Sequence, residues 1–213
     1  MIKVITIDRE YGTGGAEIAA KLASQLGWKL WDQALTTEIA KQAKCEPAEV
    51  ECREERRDPL SHRLFKSFVR GAFEGNINTQ PIEMLDADRI VALTQEIVKR
   101  AAREGNCVIV GRGSACYLQD CANAFHVFIY APPEEKIRRL MQTGKSRDEA
   151  LHLIESIDRD RSSFVKKYFG KDWPNHHLFH LMLNSQIGDQ AVIQNIRHAI
   201  SLPDRQPATA KAI

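Results

Sequence analysis

Apolar residues in this chain fall into short unbroken runs separated by longer amphipathic stretches, a pattern that predicts strands and helices in turn. Ile2 to Ile7 has the β-branched character of a buried strand, and Glu17 to Leu26 sets Ile18, Ala19, Leu22, Ala23 and Leu26 on one helical face before Gly27 ends it. "WKLWDQALTTEIAKQAK" gives a second short strand and another helix. "CEPAEVECREERRDPLSHR" is densely charged, holds two prolines and reads as a solvated excursion, followed by a helix over Phe65 to Phe73 and a loop at "EGNINTQP". Asp86 to Arg103 predicts a long helix with Ile90, Leu93, Ile97 and Ala101 inward. "NCVIVGRG" and "AFHVFIYAPP" are the continuous apolar runs expected of parallel strands covered on both faces. A helix begins in "PEEKIRRLMQ", "SRDEALHLIESIDRDRSSFVKKYF" continues helically with a basic face, "HLFHLMLNSQIG" holds a last strand and "GDQAVIQNIRHAI" a last helix. Strands alternating with helices make this an α/β chain, a parallel sheet with helices on both faces.

Composition narrows the picture. With 213 residues the chain suits one substantial core, and thirty Lys and Arg against twenty-eight Asp and Glu leave no global basic field of the kind nucleic-acid binders use. Any anion site must be local. The five cysteines are an odd number without a CxxC pair, which argues against a disulfide framework or zinc knuckle and fits a reducing cytoplasm. Asp8 and Arg9 interrupt the first ten residues, which therefore do not read as a signal-peptide core, and no apolar run nears the roughly 18 residues of a membrane span.

Chemistry concentrates in three places. The glycines of "YGTGGAE" lie between the first strand and the first helix, where backbone N–H groups and the positive end of the helix dipole converge on an anion; the alternative is a tight βα turn with no ligand. The pattern G-x-x-x-x-G-K-[ST] would place Lys after the last loop glycine, yet Gly14 is followed by Gly15, Ala16 and Glu17, and the dinucleotide pattern G-x-G-x-x-G fails because Ile18 stands at its third Gly. In "VIVGRG", Arg112 lies just past a strand end, where ligands bind in open α/β sheets, placed either to grip a phosphate or to form a surface salt bridge. "DRDRSSFVKKYFGK" gathers Arg159, Arg161, Lys166, Lys167 and Lys171, either a solvated helix face or a clamp for polyphosphate. His176, His177 and His180 have no further ligand at metal spacing, and Trp28, Trp31 and Trp173 read as packing residues.

These three segments, in this order, resemble the cytidylate kinase-like branch of the P-loop nucleoside monophosphate kinases. "TIDREYGTGGAE" is similar to that kinase's "TIDGPSGSGKGT" at Thr6, Ile7, Asp8, Gly12 and Gly14, which sets Gly15 at the loop lysine and Glu17 at the magnesium-binding Thr. "LWDQ" resembles a strand end near the acceptor nucleotide and nominates Asp32; "VGRG" resembles "GRD", matching Arg112 while Gly113 replaces an acceptor-binding Asp; "IDRDRSS" resembles the lid, keeping Arg159 and Arg161 with Ser163 at a further arginine. Asn184 in "LMLNSQIG" stands for the Asp of a closing strand. The chain closely resembles a divergent group within this branch opening "ISREYGSGG", with "VIVGR" and "DRxRSxYxxxYTGKxW" later, and departs from it at Ala16, where that group carries Arg.

The resemblance implies a P-loop kinase fold with a five-stranded parallel sheet and a helical lid. It implies one domain over residues 1–200, with an acceptor-binding insert at about 45–85, a lid at about 144–173 and a loose tail at 201–213. It further implies ATP with Mg²⁺ on the backbone of Gly12, Thr13, Gly14, Gly15, Ala16 and Glu17, an acceptor such as CMP oriented by Asp32 and Arg112, and Arg159 and Arg161 supplying the charge of the absent lysine; in this sequence Arg9, the loop cation at the start of the loop, is a further candidate for that charge. The partners implied are small-molecule nucleotides rather than nucleic acid or membrane. A nucleotide-binding regulatory protein that has lost catalysis, and a kinase of another small metabolite, stay open as alternatives.

Overall fold

Residues 1–43 and 87–202 are described by the structure, a computed structural model; the expected acceptor insert, the helix over Phe65 to Phe73 and nearly all of the tail fall outside them. Five strands pair in parallel in the order β2-β3-β1-β4-β5, with β1 at Val4–Arg9, β2 at Lys29–Trp31, β3 at Cys107–Val110, β4 at Ala124–Tyr130 and β5 at Leu181–Asn184. Among the described residues the helices are α1 Gly15–Leu26, α2 Gln33–Ala43, α3 Ala87–Glu104, α4 Ser114–Tyr117, α5 Pro133–Gln142, α6 Arg147–Phe169 and α7 Asp189–Ser201. None of them is long and apolar enough to cross a membrane. The chain leaves β1 to form β2 on one side, and later returns to add β4 on the other. This opens a crevice beyond the C-terminal end of β1, where such sheets bind ligands.

The two faces of the sheet follow the period-2 alternation of its strands. Ile5, Ile7, Val108, Val110, Val127 and Ile129 pack with Ile18 and Leu22 of α1 and Val192, Ile193 and Ile196 of α7. Val4, Cys107 and Ile109 on the opposite face meet Leu35 and Ile39 of α2 and Ile90 and Ile97 of α3. A third cluster forms where Ile137 and Leu140 of α5 meet Ala150, Ile154 and Ile157 of α6, and a loop residue, Tyr11, completes it.

One boundary differs from the sequence expectation in a way that matters. Strand β1 runs to Arg9 rather than Ile7, because the long β4 gives Asp8 and Arg9 pairing partners in Phe128 and Ile129. Arg9 is therefore the last residue of a central strand, with a fixed direction, and not a loop cation. The expected lid contains one unbroken 23-residue helix, α6, whose start carries a capping box between Ser146 and Glu149.

One buried polar pair crosses the sheet. His126 lies opposite Thr6 in register, its Nδ1 2.8 Å from Thr6 Oγ1 and its Nε2 3.1 Å from the Leu118 carbonyl, so the neutral ring with hydrogen on Nε2 satisfies both neighbours. Burial, reinforced by the adjacent His180, lowers the His126 pKa to about 4. Because the unfolded chain binds this proton at pH near 6.5, the folded state binds fewer protons between the two values, and stability present above pH 6.5 drains away as pH falls toward 4. Urea unfolding at a series of pH values is expected to show the wild type losing on the order of 3 kcal/mol more than His126→Asn across that window. Equal acid sensitivity of the two proteins would count against it.

Candidate active site

The loop between β1 and α1 turns on Gly12 and Gly14, at φ 79° and 73°, values that an L side chain rarely adopts. Gly14 caps α1, and Ile18 N–H is the first to reach back to its carbonyl, at 3.0 Å. The amides of Gly15, Ala16 and Glu17 thus head the helix without an intrahelical acceptor, at the positive end of its dipole. Thr13 donates its hydroxyl to the Glu10 carbonyl at 2.8 Å, so its side chain closes the loop on itself.

Helices α5 and α6 hold this loop from one side. Tyr11 is buried between them, and its N–H donates to Asp158 Oδ1 at 2.8 Å. Arg161, one turn further along α6, donates to the Arg9 carbonyl at 2.8 Å and reaches Asp158 Oδ1 at 3.3 Å. Lys136 of α5 donates to Glu10 Oε2 at 3.0 Å and lies 3.6 Å from Asp158 Oδ2. A Cβ on Gly12 would stand 3.1 Å from Leu140 Cδ1 and 3.2 Å from Lys136 Cβ, so α5 lies against the loop backbone itself. Sequence reasoning missed Lys136, and also Arg139, whose guanidinium spans Glu135 Oε1, Asp189 Oδ1 and the Ser185 carbonyl at 2.8 to 3.1 Å and abuts Gly14. The available signal was the placement of Lys136 four residues before the buried Leu140, which turns a lysine toward an apolar face.

A second turn follows β3. Gly111, Arg112 and Gly113 all have positive φ, at 61°, 58° and 70°, and Ser114 N–H closes the turn on the Gly111 carbonyl at 3.0 Å. Arg112 is the one non-glycine in this left-handed turn, a conformation costing on the order of 1 kcal/mol and concentrated at functional sites. Its buried guanidinium donates to Thr36 of α2. At Gly113 a Cβ would sit 2.6 Å from two ring atoms of Phe169, so an aromatic ring fills the place where the resemblance puts an acidic side chain.

Asp32, just past β2, gathers these parts electrostatically. Burial lifts its carboxyl above the ordinary range; Arg9, Arg112 and Arg161 pull it down, and Glu17 pushes it up. Charged residues from β1, α1, the β3 turn and α6 thus all act on this carboxyl, and Arg9 itself touches both the start of α1 at Gly15 and the β3 turn at Gly111. Arg159 does not join them. It is exposed, because residues two apart on a continuous helix point about 200° apart and Arg161 takes the inward side. Asp8 is held at both carboxylate oxygens, by Arg9 N–H at 3.0 Å and by Trp173 Nε1 at 3.1 Å, which gives that tryptophan a place at the site's edge. Among the described residues no group of three or more His, Cys, Asp or Glu could hold a metal, and His180 instead stacks on Phe125 and His126.

No curated protein matches the chain in sequence. The sequence profile of the cytidylate kinase-like family matches residues 4–187, and the chain belongs to that family. Among solved structures, an uncharacterised protein from Eubacterium ventriosum aligns with a TM-score of 0.68 at 20% identity, over 94% of this chain and 98% of that one. Shikimate kinase from Bacteroides thetaiotaomicron aligns at 0.51 and 16% identity over 95% and 100% of the two chains. Shikimate kinase from Acinetobacter baumannii, in complex with shikimate, aligns at 0.51 and 14% identity over 94% and 93%. These likenesses show the fold, that of the P-loop kinases.

Replacing Lys136 by Met should leave the Glu10 and Asp158 carboxylates facing each other beneath the loop. Breaking a buried ion pair on one side costs about 3 kcal/mol or more, so denaturant unfolding should register a loss of that size, with faster amide exchange at Tyr11. A variant as stable as the wild type would show that this cluster does not hold the loop.

Proposed function

We propose that this member of the cytidylate kinase-like family is a phosphotransferase that binds ATP with Mg²⁺ at the Gly12–Glu17 backbone and moves the γ-phosphoryl to a small acceptor held beside Asp32 and Arg112. The reading is carried by a helix start headed by free-standing backbone amides with the Arg9 side chain packed against it, where Arg9 and Arg112 both act on the Asp32 carboxyl beyond the C-terminal edge of the sheet. In the transfer, the bond from the γ-phosphorus to the β,γ-bridging oxygen breaks, ADP departs with that oxygen, and an acceptor oxygen takes the phosphoryl group. The chain's part is positioning and charge, because phosphoryl transfer asks little covalent chemistry of the protein.

Mg²⁺ fits the oxygens present. Glu17 brings Oε2 close to Gly14, and Asp32 has a buried Oδ1 with no hydrogen-bond partner among the described residues. Mg²⁺ is commonly held by one or two carboxylates together with the substrate's phosphates, so a dedicated cluster is not needed. When bound, the ion neutralises phosphate charge that Glu17 would otherwise repel.

By family likeness the acceptor is a nucleoside monophosphate such as CMP. The Phe169 ring over Gly113 favours a second reading, in which the acceptor is another small metabolite, since the acid expected to read it is replaced by an apolar wall. A panel assay of ADP release with ATP and Mg²⁺, run from CMP and other nucleoside monophosphates to hydroxy acids such as the shikimate bound in one fold neighbour, tests both. Acceptor-dependent release is expected. Arg112→Ala should raise KM for the acceptor roughly 10- to 100-fold while changing KM for ATP far less, the size of one charged hydrogen bond on the acceptor side. ATP binding without turnover on any acceptor would instead support a regulatory nucleotide-binding protein.

A further inference from the structure

The pattern G-x-x-x-x-G-K-[ST] has glycine at its first position and lysine at its seventh. Counted from Arg9 to Gly15, this chain has arginine at the first and glycine at the seventh. We infer that the two positions have exchanged roles: Arg9 supplies the cation that grips the terminal phosphates of a triphosphate, and Gly15 is glycine to let the Arg9 side chain through. The inference rests on the triphosphate-binding reading above and names the residue that carries its charge.

Geometry ties the two positions together. A Cβ on Gly15 would lie 2.8 Å from both Cβ and Cγ of Arg9, closer than real atoms approach. Nothing in the Gly15 backbone calls for glycine, since it opens α1 and is absent from the positive-φ positions. The stem of Arg9 is thus the reason for the missing side chain. Past Gly15 the arginine continues to Gly111, whose own Cβ position is filled by the Arg9 guanidinium. One buried side chain therefore spans the gap from the start of α1 to the turn that presents Arg112, and its head lies between the phosphate loop and the acceptor side.

The backbone of Arg9 is fixed in turn. Its N–H donates to Asp8 Oδ1 at 3.0 Å, its carbonyl accepts from Arg161 at 2.8 Å, and it pairs with Ile129 as the final residue of β1. Arg161 thereby acts as a positioning residue, spending a donor on Arg9 rather than on a phosphate. The contact with Gly111 sets the guanidinium at the C-terminal edge of the sheet, and among the charges acting on the Asp32 carboxyl that of Arg9 pulls most strongly. A guanidinium offers two parallel donors to a phosphate where an ammonium offers a point charge, so the exchange keeps the electrostatic function.

Calorimetric titration with inorganic tripolyphosphate and with ATP, each with Mg²⁺, tests this on the full chain, with thermal melting of every variant alongside. Arg9→Met, which keeps most of the stem and loses the charge, should bind tripolyphosphate roughly 10- to 100-fold more weakly, while Arg9→Lys stays within about tenfold of the wild type. Gly15→Lys alone should weaken binding by colliding with Arg9, whereas the double variant Arg9→Ala with Gly15→Lys should bind at least about tenfold more tightly than Arg9→Ala alone. Tripolyphosphate binding unchanged in Arg9→Met, or a double variant no better than Arg9→Ala, overturns the exchange while leaving the triphosphate site in place. A folded wild type that binds neither tripolyphosphate nor ATP overturns that site, and the exchange with it.

Discussion

The carboxylate of Asp158 is the hinge of this molecule. It accepts the Tyr11 amide, faces Lys136 and Arg161, and so joins the phosphate loop to α6 while Arg161 fixes the carbonyl of Arg9. A glycine-rich loop has little conformational preference of its own, and its shape must come from outside. Here the outside is a pair of helices with their own apolar seam, into which Tyr11 inserts. The loop, the end of β1 and the α5–α6 pair therefore form one mechanical unit. Contacts of this kind pre-organise a loop and reduce the ordering cost of binding an anion there.

Seen from that unit, the site divides by chemistry. On the loop side stand backbone amides, the α1 dipole, Glu17 and the Arg139 guanidinium. On the other stand Asp32 and Arg112, with Thr36 and the Phe169 ring behind them. Arg9 reaches from one to the other, touching Gly15 at the start of α1 and Gly111 in the β3 turn, because the strand carrying it ends between them. The Gly-Arg-Gly turn makes a complementary adjustment: Gly111 admits the Arg9 head and Gly113 admits Phe169, so its two glycines serve two different side chains.

Much of this was legible in the residues. Continuous apolar runs gave the strands, since a strand buried on both faces has no polar register to hide, and the 3.6-residue period gave α1, α3 and α7. Local patterns also located the loop and Arg112, and the family resemblance nominated Asp32. What they could not supply was direction. Arg9 read as a loop cation because pairing of its residue with Ile129 of β4 is a non-local fact, and Arg159 and Arg161 were joined by the lid resemblance although the helix expected over them turns the two apart. Lys136, Asp158 and Tyr11 escaped notice for the same reason, as each matters through a residue distant in sequence. The glycine at position 15 looked like a loss and is better understood as a packing requirement of Arg9.

The central claim, that charge once carried by a loop lysine now arrives from the strand, is tested most directly by a crystal structure with a non-hydrolysable ATP analogue and Mg²⁺. The account predicts the β-phosphate on the amides of Gly14 to Ala16, the Arg9 guanidinium within hydrogen-bond distance of a terminal phosphate oxygen, and the Arg161–Arg9 carbonyl bond intact. A nucleotide seated with Arg9 turned away from its phosphates, and another cation in that position, would contradict it.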